Sequence, residues 1–127
     1  NINDMYKFKT PALRNVSLTA PYGHNGAYPT LKSIIKHHLN PIKMNKNWKP
    51  EYANLPKAPW LEEIDFVTFS DKREQDRILS SIDIQPIELN DKEIDELVSF
   101  LESLTGRSGN QRPLGKPDKV PSGLSID

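Results

Sequence analysis

Apolar residues recur at three- and four-residue spacing in only three short stretches of this chain, and prolines or turn residues separate them. That pattern restricts the fold to a few short helices joined by long irregular connections. Eleven prolines in 127 residues enforce the breaks, because proline lacks the amide donor that a helix interior needs. In the first stretch Leu31, Ile34, Ile35 and His38 share one face of a helix running from about Leu31 to Leu39, with Thr30 as its N-cap. In the second, Ile78, Leu79 and Ile82 form the stripe of a helix from Asp71 to about Ile82. Ser70 is its expected cap, and Asp71 suits the first turn. The third is the clearest, over Asn90 to Leu104. Asn90 caps it, Glu93 completes a capping box, and Ile94, Leu97, Val98, Leu101 and Leu104 keep the helical spacing. Gly106 suits its C-cap. The expected class is mainly α.

The connections carry most of the prolines. Phe8 to Pro21 sets Leu13, Val16 and Leu18 between prolines and reads as an extended or short helical connector. Tyr22 to Gly26 reads as a turn, since Gly23 and Gly26 tolerate positive φ and Asn25-Gly26 is a strong turn pair. Asn40-Pro41 ends the first helix. Ile42 to Pro59, rich in lysine, asparagine and proline, reads as a long surface loop holding Trp48 and Tyr52. Trp60 to Phe69 reads as a helical turn followed by an extended piece, and Arg107 to Asp127 as an extended tail. Hydrophobic residues make up 35% of the chain, enough for only a modest core, so a partner domain is expected. Net charge is zero, which gives no basis for a nucleic-acid or other polyanion partner. No apolar run is long enough to span a membrane.

The chemically capable residues cluster between Phe8 and Asn40. Two of the three histidines, His37 and His38, lie on the first helix, and His24 is in the turn before it. A histidine on an apolar face needs a partner for its ring nitrogens. His38 therefore reads either as a core histidine bonded to a backbone carbonyl or as a metal ligand. His37 lies at the flank of that face. Zinc fits poorly, because there is no cysteine and no HExxH spacing. Met44 lies beyond the helix and among polar residues. The basic residues of 42–59 read as a solvated surface, or as a charged rim for docking another protein.

The run KTPALRNVSLTAPYGHNG from Lys9 to Gly26, followed by a short helix and then by ELVSFLESLTG ending at Gly106, resembles the C-terminal part of bacterial di-haem cytochrome c peroxidases, a family that includes the MauG-type enzymes. The ending VPSGLSID also resembles the tail of one branch. The resemblance implies a portion of a cytochrome c-like domain over residues 1–106, with an insertion-like segment at 41–89 and a tail at 107–127. It implies an oxidoreductase that reduces hydrogen peroxide to water with electrons from a small periplasmic redox protein. Peroxide chemistry in the family occurs at the N-terminal haem, which this chain does not contain. Counting without gaps from LTAPY puts His38 where the family has the distal axial ligand of the C-terminal haem. That ligand is methionine in the classical peroxidases and tyrosine in the MauG type. His24 matches the family histidine near the haem, and Arg14 matches an arginine expected at a haem propionate or the domain interface. Thr19 and Pro21 match positions whose backbone carbonyls hold calcium, a suitable cation for such hard donors.

Two departures from the family pattern matter. Without cysteine there is no CxxCH, so a c-type haem would have to be attached through an upstream segment, and the chain reads as a C-terminal fragment. Histidine in place of methionine should lower the haem potential, which weighs against a high-potential electron-entry role. The expected partners are an N-terminal haem domain of the same protein, a small electron-donor protein and a possible second copy of the protein. A MauG-type oxidase acting on a protein or other substrate, and a haem-free interaction module, are the alternative readings.

Overall fold

The computed structural model describes residues 4–55, 58–61 and 64–106. The expected tail over residues 107–127 lies outside the described residues. Among the described residues five helices follow in order: α1 (Leu31–Leu39), α2 (Pro41–Asn47), α3 (Val67–Ser70), α4 (Lys72–Ser80) and α5 (Asp91–Ser103). Single 3-10 turns occupy Val16–Leu18, His24–Gly26 and Pro50–Tyr52. No strand occurs among the described residues, only an isolated antiparallel bridge between Tyr22 and Tyr28. The mainly α class with long irregular connections holds.

The two strongest caps form as their sequences dictate. Thr30 Oγ1 accepts from the Ser33 amide at 3.1 Å while Ser33 Oγ accepts from the Thr30 amide, so two otherwise orphaned donors are satisfied at the start of α1. At α5, Asn90 Oδ1 accepts from the Glu93 amide at 3.0 Å and the Glu93 carboxylate accepts from the Asn90 amide at 2.7 Å.

The connection after α1 differs from the expected long loop. Asn40-Pro41 does end α1, but the same pair starts α2. Asn40 Oδ1 accepts from the Lys43 amide at 2.9 Å, and Pro41 takes the first helical position, where its missing N–H costs nothing. Lysine and asparagine hide this helix from a periodicity search, and what holds it is tertiary: Met44 and Trp48 pack against the core. Trp60 to Phe69 is also not extended at its end. Turns lead into α3, and Phe66 and Phe69 meet the Trp48 ring with centroids 6.2 and 5.1 Å apart. Ser70 is the last residue of α3 rather than a cap. Asp71 caps α4 instead, accepting from the Arg73 and Glu74 amides, and the helix stops at Ser80, short of the expected Ile82.

The core is small. Tyr22, Tyr28 and Leu31 form its buried centre, with Val16, Ala27, Ile34, Val98 and Leu101 packed around them. Ile94 faces inward from α5. The end of α5 is clasped to the LRN stretch: the Asn15 amide donates to the Leu104 carbonyl, and Asn15 Oδ1 accepts from the Gly106 amide at 2.8 Å. Gly106 is therefore an anchor rather than the expected left-handed C-cap, and Leu104 occupies the cap position with φ −75. Lys32–Asp95 and Lys36–Asp91 pairs join α1 to α5, both solvent-exposed and of small energetic weight.

Candidate functional site

His38 lies in the last turn of α1 and is exposed, not set in the apolar core as its helical spacing suggests. The offset of seven from Leu31 assumes that the helix is covered along its whole length. The buried part of the stripe is Leu31 and Ile35, and His38 extends past it. Its partner is nonetheless a backbone carbonyl: Nδ1 lies 2.9 Å from Ile34 O. A carbonyl can only accept, so Nδ1 carries the hydrogen and the neutral ring keeps its lone pair on Nε2. Metal-bound histidines use this arrangement, in which the second ring nitrogen donates to a carbonyl and fixes tautomer and orientation.

His37, to which the sequence assigned no role, is the more enclosed of the pair. Its Nδ1 shares a hydrogen bond of 2.9 Å with the Tyr28 hydroxyl, and the two rings are 5.0 Å apart. Burial lowers the pKa of His37, and the neighbouring His38 acts in the same direction. Burial raises that of Tyr28, so the phenol stays protonated at neutral pH. His37 and His38 meet edge to face at 5.8 Å. Nothing periodic links Tyr28 to His37. The contact exists because the chain reverses at the turn that the Tyr22–Tyr28 bridge closes, with reciprocal backbone bonds of 2.7 and 3.0 Å.

His24 is exposed in that turn, its ring 4.9 Å from the Phe8 ring. The turn needs its glycines. Gly26 has φ +68, and a Cβ there would lie 2.9 Å from Pro21 Cγ; at Gly23, φ +76, it would lie 3.0 Å from the Tyr28 ring. Arg14, Thr19 and Pro21 are all exposed. Thr19 Oγ1 donates to Val16 O, and the Ala20-Pro21 bond that follows is cis. Two carbonyls are only part of the six to eight oxygens that calcium takes. Among the described residues, no group of three or more His, Cys, Asp or Glu side chains is placed to hold a metal ion.

Large apolar side chains in and beside the two motifs stay uncovered: Phe8 at 73% exposure, Phe100 at 55%, and Leu13, Leu18 and Leu97. Exposed apolar side chains of this size are suited to contact with another protein surface or an apolar cofactor. The donor set fits a haem in one respect and not in another. His38 offers an outward imidazole lone pair, whereas no cysteine is present to form a thioether bond.

Comparison with known proteins gives three informative relatives. The methylamine utilization protein MauG of Paracoccus denitrificans is 38% identical over 106 residues, covering 80% of this chain and 23% of that protein. The MauG of Methylophilus methylotrophus is 33% identical over 64 residues, covering 50% of the chain and 19% of that protein. A cytochrome-c peroxidase of Pseudomonas sp. (strain SCT) is 46% identical over 35 residues, 28% of the chain and 9% of that protein. The chain thus spans less than a quarter of the length of each of these relatives. No family model matches, and no solved structure matches.

Proposed function

Because the chain belongs to the di-haem cytochrome c peroxidase and MauG-type family, we propose that it contributes His38 as an axial ligand to the iron of a c-type haem. One observation carries this reading: the Nδ1–Ile34 carbonyl bond leaves Nε2 free at an exposed helix end. The position of His38 relative to the LTAPY motif supports the same role. The thioether bonds would come from cysteines outside these residues. His24, with Phe8 against it, would border the haem. Arg14 would pair with a propionate, a role for which the guanidinium fork is suited. The Thr19 and Pro21 carbonyls would supply two calcium ligands, with other oxygens completing the set.

The whole protein is read as a periplasmic oxidoreductase that consumes hydrogen peroxide, two electrons and two protons forming two waters. Among the described residues, no helix is long and apolar enough to cross a membrane. Two readings differ in the source of the electrons: a small redox protein in a peroxidase, a protein or other substrate in a MauG-type oxidase. Similarity extends to both, the MauG of P. denitrificans aligning with 80% of the chain at 38% identity and the peroxidase with 28% at 46% identity.

Visible and near-infrared spectra of the intact natural protein, with a pyridine haemochrome count, test the reading. The expected result is c-type haem with a low-spin component, no methionine-to-iron charge-transfer band, and loss of that component in His38→Ala. A haem-free protein would leave only an interaction module. A low-spin component unchanged in His38→Ala would remove His38 from the iron.

A further inference from the structure

We propose that Tyr28 and His37 are positioning residues for the His38 imidazole, the bond between them fixing the ring against which His38 is set. This rests on the reading of His38 as an iron ligand. Side chains adjacent in sequence on a helix do not normally face each other. The His37 and His38 rings nevertheless meet edge to face at 5.8 Å, which requires something to hold His37. The Tyr28 hydroxyl does so, 2.9 Å from His37 Nδ1 with its ring 5.0 Å away. Tyr28 is itself enclosed and bonded. It is 7% exposed, and its backbone is locked to Tyr22 by both bonds of the bridge. On its other side, His38 bonds Ile34 O, which sets its tautomer and directs the ring. The edge contact with His37 is a second restraint on the same ring. Order thus passes from the Gly23–Gly26 turn through Tyr28 and His37 to the outward Nε2. The plane of an axial imidazole sets its overlap with the iron orbitals, so a ring held in one plane gives one low-spin species at one potential. Outer partners of metal-bound histidines act in this way.

The test uses the intact haem-loaded protein. Tyr28→Phe keeps the ring and removes only the hydroxyl. His37→Phe keeps a ring against His38 and removes both ring nitrogens, the bonding one among them. Each should split or broaden the low-spin electron paramagnetic resonance signal and shift the midpoint potential, with haem content and thermal midpoint near those of the natural protein. The double variant should add nothing further, because both single changes break the same bond. If Tyr28→Phe shows the natural signal and potential, the positioning role is overturned, while loss of the low-spin signal in His38→Ala keeps the ligand reading. If His38→Ala retains the signal, the ligand reading and the positioning role both fail.

Discussion

His37 and His38 are neighbours in sequence with opposite surroundings, and each residue's chemistry follows from its surroundings. His38 is exposed with one ring nitrogen committed to Ile34 O; His37 is enclosed and bonded to Tyr28. Burial lowers the folded pKa of His37 below its ordinary value of 6.5. Between the two values the unfolded chain binds more protons than the folded one, so stability rises with pH there. The contribution is complete above pH 6.5 and is lost as pH falls from there through the folded pKa. Calorimetry from pH 7 to pH 5 should show a falling thermal midpoint, with a shallower fall in His37→Phe. At His38, replacement by methionine should raise the haem midpoint potential in the intact protein, because a His/Met pair favours ferrous iron more than a bis-histidine pair does. A potentiometric titration that finds no rise would place another group on the iron. In the turn, Gly26→Ala should cost about 1–3 kcal/mol. Left-handed backbone disfavours a Cβ by about 1–2 kcal/mol, and the Pro21 ring stands in its way.

Among the elements, caps decide where helices begin, and one of them separates two assignments that look equivalent in the sequence. Ser70 and Asp71 are adjacent, and both are good cap residues, but only Asp71 accepts the first amides of α4. Asp71→Ala should therefore cost about 1 kcal/mol and Ser70→Ala less than about 0.5 kcal/mol. Denaturant titration of both variants would reveal a reversed order if Ser70 were the cap. Asn90→Ala, which removes half of the reciprocal box at α5, should also cost about 1 kcal/mol. The helix α2 has a cap of the same quality in Asn40, yet it shows no apolar periodicity. Its few apolar side chains find the core only after α1 has turned the chain back.

At the level of the whole molecule, the clasp between Asn15 and the end of α5 joins the two segments that resemble the peroxidase family. Asn15 has φ 59 and accepts from the Gly106 amide, so the residue suits both the backbone and the partner. Asn15→Ala loses both and should lower stability by about 1–3 kcal/mol. Thermal unfolding of the intact protein checks this, and Asn15→Gly, which keeps the backbone freedom, should recover only part. The core that the clasp closes is small beside the apolar surface left open around Phe8, Leu18 and Phe100. Phe100→Ala should cost about 3–5 kcal/mol if that surface is covered in the intact protein, the usual loss for a buried phenylalanine, and far less if it is open to water.

Local signals in the sequence were sufficient for α1, α5 and their caps, because apolar spacing and reciprocal capping act within one or two helical turns. The turn around His24 was legible for the same reason: its glycines and Asn25 supply the positive φ values that it needs. The long KTPALRN–LTAPYGHNG motif also made the family legible, and a relative aligning with 80% of the chain bears it out. The choice of Asp71 over Ser70 is made by local cap bonds that both residue types can offer, whereas the presence of α2 and the end of the α3 segment depended on contacts made after the chain had folded back. So did the environment of the histidines. Helical spacing places His38 on a face but does not say where that face stops being covered. It gives His37 no partner, since Tyr28 lies nine residues away across a turn. Side-chain periodicity is a property of one element, whereas burial and hydrogen-bond partnership at the site are properties of several elements packed together, and only the tertiary structure decided those.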